Sequence, residues 1–120
     1  LEFLVRKLVT AFALAVLAVN VGTSAQVNVA GTWQFVVELN LGSGEPTFEF
    51  EQDGETLTGM YEGAFGAAQV TGTVKGNRIR FRFGQEGAEA VYVGTIDGDT
   101  MSGTCDYGAV GEGTWEAERE

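Results

Sequence analysis

The chain has 120 residues, 7 of them Lys or Arg and 17 Asp or Glu, for a formal net charge of -10. Hydrophobic residues at 44% and charged residues at 20% are the proportions of one folded globular domain, not of a disordered chain, and 18 Gly beside 1 Pro without a Gly-X-Y period exclude collagen. The absence of His removes the commonest general base and metal ligand, the single Cys rules out an internal disulfide or a cysteine zinc cluster, and a pI near 4.3 makes a poor partner for nucleic acid or an anionic membrane.

The N-terminal segment has the pattern of an address. Arg6 and Lys7 precede an uncharged apolar run from Leu8 to Val19, and Val21-Gly22-Thr23-Ser24-Ala25 supplies small residues before Gln26. A basic end, a short apolar stretch and a small residue at the edge make a secretory signal peptide, read here as a helix over residues 1–25 with cleavage after Ala25. The apolar run is too short for the roughly 20 residues of a spanning helix, so no stable membrane anchor is expected after cleavage. The destination is secreted or periplasmic, and residues 26–120 form one domain. Without Glu2, Arg6 and Lys7, five basic residues stand against sixteen acidic ones, a charge of -11.

From Thr32 onward the pattern alternates with period two. Trp33, Phe35, Val37 and Leu39 share one face. So, in later runs, do Phe48 and Phe50; Leu57, Gly59, Tyr61 and Gly63; Val70, Gly72 and Val74; and Ile79, Phe81 and Phe83. Ala90, Tyr92, Gly94 and Ile96, then Met101, Gly103 and Cys105, then Gly113, Trp115 and Ala117 complete eight runs. This is the signal of half-buried strands, with no helical stretch between them. Tight turns at Asp53-Gly54, Gly76-Asn77 and Gly98-Asp99 call for positive φ, as two-residue hairpins do. Asp53, Lys75 and Asp97 stand 22 residues apart, and one such period is one hairpin. Hairpins in series make a meander. The predicted fold is all-β: an eight-stranded antiparallel up-and-down barrel over residues 32–118, its first and last strands paired. Closure leaves no exposed edge. The inward glycines 59, 72, 94, 103 and 113 either let the wall bend or make room for Trp33 and Trp115. Both tryptophans are expected in the core near the tight-turn end.

Gly31-Thr32-Trp33 and Leu57-Thr58-Gly59-Met60-Tyr61-Glu62 resemble the opening strands of avidin-type barrels, within the broader calycin architecture that includes lipocalins. Val70-Thr71-Gly72-Thr73-Val74 and the run from Gly94 to Thr104 are similar to a group of small secreted bacterial barrel domains without an assigned activity. The resemblance covers about residues 31–119 and implies fold rather than function. Tyr61 matches the avidin pocket tyrosine. The asparagine expected two residues after the first-strand Trp is Phe35, the serine expected two after the tyrosine is Gly63, and the later pocket tryptophans are missing, so biotin binding is not carried over.

Chemistry has few footholds. Cys105 has no His to activate it and stands on an inward phase, so it reads as a small core residue. Glu49, Glu51, Glu116 and Glu118 read as a solvated face, and Asp97 and Asp99 as turn residues rather than a calcium cage. Arg78, Arg80 and Arg82 form a basic stripe that could clamp an anionic partner or polysaccharide. The plainer reading pairs it with neighbouring acids and has it protect a strand surface from aggregation. No catalytic residue, metal or cofactor is assigned.

Longer connections are expected at 40–45, 63–69, 84–89 and 107–112, all at one end. Phe48, Tyr61, Phe83, Tyr92 and Tyr107 fall near that mouth and are the candidate site for a small neutral, apolar ligand, or else simply core. Three classes of function follow: a noncatalytic module acting by contact with another protein or as a scaffold, a small-ligand binder at the mouth, and an enzyme. The first is expected; nothing beyond the existence of a cleft speaks for the third.

Overall fold

The computed structural model describes residues 27–85 and 88–120. The helix and cleavage site expected in residues 1–25 lie outside them. Nine strands follow one another: β1 Gly31–Leu39, β2 Gly42–Gly44, β3 Thr47–Asp53, β4 Thr56–Gly63, β5 Gly66–Lys75, β6 Arg78–Gln85, β7 Ala88–Asp97, β8 Thr100–Asp106 and β9 Glu112–Arg119. Each pairs antiparallel with its neighbour in the order β2-β1-β3-β4-β5-β6-β7-β8-β9, and β9 returns to β1 to close the ring. The eight-stranded up-and-down barrel is thus present, with its inward phases as read from the alternation. Among the described residues there is no α-helix, only a 3-10 turn at Gly108–Val110.

The ninth strand is a correction with a simple cause. β2 pairs Val37 with Gly44 and Leu39 with Gly42, while β3 continues the same register with Gln34 opposite Thr47. β2 and β3 are one wall strand interrupted at Glu45-Pro46, where proline has no N–H for the ladder. The Pro46 carbonyl still accepts from the Phe35 N–H at 3.0 Å. The long connections expected at 40–45, 63–69 and 84–89 are corrected likewise. Leu39 faces Gly42 and Gly63 faces Gly66, so these two hairpins turn in two residues, and Gln85 pairs with Ala88. Glycine and alanine there carry no strong strand signal, yet they extend the ladders. Among the described residues only 107–111, between β8 and β9, is a longer loop.

At the opposite end Gly54, Gly76 and Gly98 open the turns with φ of 61°, 59° and 61°. Positive φ at the first turn position alone is the II′ hairpin. The first turn is therefore Gly54–Glu55 rather than Asp53–Gly54. The second residue of each turn explains the period: the Glu55 carbonyl accepts from the Val74 N–H, and the Asn77 carbonyl from the Ile96 N–H, both pairs displaced by 22 residues. Each turn thus clips onto the hairpin that follows it.

An N-terminal arm seals this end. Val29 is fully buried; its N–H donates to Gln52 Oε1 at 2.8 Å, and its carbonyl accepts from Trp33 Nε1 at 2.8 Å. Arg119 lies over the Trp33 ring at 4.7 Å and donates to the carbonyls of Ala30 and Asn28 and to Asp99. Trp33 is core at the closed end, as expected. Trp115 is also core but sits farther along the barrel: Trp33 pairs with Arg119, whereas Trp115 pairs with Val37. Four strand residues, about 13 Å, separate the two levels.

The interior is filled by rings. Phe35 is the hub, stacked on Trp115 (5.0 Å, 21°), with Phe48 at 4.3 Å, Tyr92 at 6.0 Å and Phe81 at 6.1 Å. No polar or charged residue is buried among the described residues. The glycines chiefly allow close approach of neighbouring strands: a Cβ on Gly113 would stand 1.7 Å from the Glu38 carbonyl oxygen. Gly94 also makes room for an indole, since its Cβ would meet Trp115 at 2.5 Å as well as the Ser102 carbonyl at 2.3 Å.

Candidate functional site

β3, β4, β6 and β7 deliver Phe48, Tyr61, Phe83 and Tyr92 to one layer, and the loop after β8 hangs Tyr107 above it. Tyr61 stacks on Phe83 (4.2 Å, 16°), Phe48 stands 5.4 Å from Tyr61 and 5.6 Å from both Phe83 and Tyr92, and Tyr107 stands 5.9 Å from Phe83. All five sequence-predicted residues therefore meet, but at different depths. Phe48 and Tyr92 are fully buried, Tyr61 and Phe83 nearly so, and Tyr107 is half-buried.

The open space lies above this layer. A depression of about 800 Å³ is bordered by Tyr61, Phe83 and Tyr107, with Ala68, Ala90 and Val110 among its walls. A smaller one of about 210 Å³ lies toward the β1–β2 hairpin, between Leu39, Leu41, Pro46 and Tyr61. Tyr61, Phe65, Tyr107 and Val110 border both. Neither Phe48 nor Tyr92 borders these depressions; both support the floor from below.

Phe65, Leu41 and Val110 were not among the expected site residues. Each is exposed, at 60%, 74% and 36% respectively, and each belongs to a turn at the mouth. The signal was an apolar side chain at a turn position, where polar residues are the rule. Phe65 leans on Tyr107 with ring centroids 5.7 Å apart, and its N–H donates to the Tyr61 hydroxyl at 3.4 Å. That hydroxyl fills the place of a side chain at position 63, where a Cβ would approach it to 2.5 Å. The Tyr107 loop is pinned from two sides: the Gly108 N–H donates to Asp106 Oδ1 at 2.7 Å, and the Glu112 N–H to Asn40 Oδ1 at 3.0 Å.

The Tyr92 and Tyr107 hydroxyls hydrogen-bond each other. Burial pushes both phenols above their ordinary range, with the Tyr107 charge adding to the shift at Tyr92 and the bond from Tyr92 partly offsetting it at Tyr107. Burial pushes the Cys105 thiol from 9.0 up to about 11. At neutral pH these groups are uncharged hydrogen-bonding and packing groups. The raised thiol also makes stability pH-dependent. The folded state keeps its proton longer than the unfolded state, so this contribution is intact below pH 9.0 and is lost as the pH climbs toward about 11. The urea midpoint is expected to fall across that window, and to fall less in a Cys105→Ala chain; a midpoint that stayed level or rose would contradict this.

The Asp97 carbonyl accepts from the Thr100 hydroxyl at 3.0 Å, and Asp99 binds Arg119 at 2.8 Å. Among the described residues no group of three or more Cys, Asp or Glu side chains gathers as a metal cage would require. The stripe differs from its plainer reading: of its three arginines only Arg82 has an acidic partner among the described residues, Glu89 at 3.6 Å. No protein-family model matches the chain, and no curated protein matches it either.

Proposed function

We infer that the chain is a noncatalytic secreted or periplasmic binding module that holds a small, neutral, largely apolar molecule at the mouth of its barrel. The observation that carries this reading is the depression of about 800 Å³, walled by Tyr61, Phe65, Phe83, Tyr107 and alanines and bordered by the polar side chains of Gln69, Thr71, Arg82 and Glu89. Its volume falls within the range of small-molecule sites, and few polar tips among apolar walls is their usual chemistry. The charged side chains on its border, Arg82 and Glu89, stand at the rim with opposite signs, while the ring and alanine floor offers an ionic ligand no counter-charge for the hydration it would lose. The noncatalytic part rests on Tyr107, the phenol at the mouth that burial holds protonated at neutral pH and so unready to act as a base. The distant likeness to avidin-type and lipocalin barrels agrees with mouth binding, but here the molecule sits above a filled interior instead of inside it.

The neutral dye Nile red is a suitable probe. Saturable binding at one molecule per chain is expected, weakened roughly tenfold by Tyr107→Ser with Phe65→Ser, the equivalent of about 1.4 kcal/mol. Binding that ignores both substitutions, or that never saturates, would contradict the reading.

A further inference from the structure

We propose that the outer face of β5, β6 and β7 is a second binding site, for an extended acidic polysaccharide, centred on Arg78, Arg80 and Arg82. Four of the five basic residues in the described part of the chain stand on adjacent strands of this one face. Lys75 lies opposite Arg78, Thr73 opposite Arg80 and Thr71 opposite Arg82; on the other flank stand Thr95, Val93 and Val91. The Lys75–Arg78 pair places like charges directly across a ladder, an arrangement that costs stability. Protection against aggregation does not require it, because the rest of this barrel carries its outward charges as carboxylates. Nor are Arg78 and Arg80 neutralised in place: among the described residues, Arg82–Glu89 at 3.6 Å is the face's one ion pair, and its arginine stays 65% exposed.

The arrangement suits a particular polymer. Alternate strand residues recur about every 6.6 Å, so the three arginines leave β6 on the same face at about that repeat. A shallow groove of about 370 Å³ lies beside Arg80 and Arg82, bordered by Thr71, Thr73 and Glu89. Guanidinium groups grip carboxylates or sulfates through paired hydrogen bonds, and the threonine hydroxyls can meet sugar hydroxyls between the charges. Duplex nucleic acid is a poorer fit, with a charge about every 1.7 Å. Single strands bind through aromatic platforms, and no outward aromatic residue lies on these three strands. The molecule also steers such a polymer. β1 lies on the far side of the ring from β6, and it and its neighbours carry Glu38, Glu49, Glu51, Glu112, Glu116 and Glu118. An approaching polyanion is repelled there and attracted to β6.

The test uses the whole chain with two probes, polygalacturonate for carboxylates and heparin for sulfates, and reads affinity by calorimetry. At least one is expected to bind, with affinity falling as salt rises from about 50 to about 200 mM. The two titrations tell carboxylate from sulfate preference. Replacing all three arginines with glutamine should weaken binding roughly tenfold or more, since each removes charge-assisted hydrogen bonds. The urea midpoint should hold or rise, because the Lys75 repulsion is relieved. Phe65→Ser should leave this affinity unchanged, which separates the site from the mouth. The proposal is overturned if neither polymer binds, if the triple variant binds as the parent does, or if DNA binds more tightly than both. It is also overturned if low-salt sedimentation shows the stripe occupied by the acidic face of a second copy.

Discussion

Trp33→Ala is expected to lower the stability of the barrel by about 3–5 kcal/mol, read as a shift in the urea midpoint. The indole is fully buried and donates to the Val29 carbonyl. It also carries the Arg119 guanidinium on its face, which in turn holds the arm at Ala30 and Asn28. Removing the ring leaves a cavity and loosens the seal over the closed end together. A domain of this size has roughly 5–15 kcal/mol of stability in all, so the loss should be plain. Trp33→Phe should fall between the two, keeping much of the buried area but losing the hydrogen bond. A midpoint unmoved by Trp33→Ala would show that the arm and ring do not close the barrel.

Gly113→Val is expected to cost about 3 kcal/mol, the upper part of the overpacking range, through a different mechanism. Position 113 lies opposite Leu39 where β9 returns to β1, and any Cβ there would collide with the Glu38 carbonyl oxygen. The obstacle is backbone, so no rotamer change relieves it, and the seam must open. Hydrogen exchange should then quicken across β1 and β9 before β5 and β6. Loss of protection spread evenly over all strands would contradict a seam at this position.

The side of each strand was legible because alternation reports it directly: the large inward residues of the eight expected runs pack inside, except at the mouth, where Leu39 is half-buried and the last inward-phase residue of its run, Gly63, is exposed. Depth was not. Phe48, Tyr61 and Tyr92 share a phase, yet only Tyr61 reaches the depressions. How far along the barrel a residue sits depends on strand tilt and stagger, which no single strand encodes. The mouth was blurred for another reason. Gly66, Ala67 and Ala68 continue β5, but small residues give little strand signal, so a two-residue turn at Ala64–Phe65 read as a long loop. Once the turn is known, Phe65 stands out as a ring where a polar residue belongs. The stripe was visible from the start; what the sequence could not supply was which acids would stand beside it.

The filled barrel with its site on top is tested most directly by nuclear Overhauser contacts to bound Nile red. The expected contacts run to Phe65, Tyr107 and Val110, with none to Phe35, Phe81 or Trp115. Contacts to those deep rings would mean that the interior opens to admit the molecule, and the placement of the site above a solid core would be wrong.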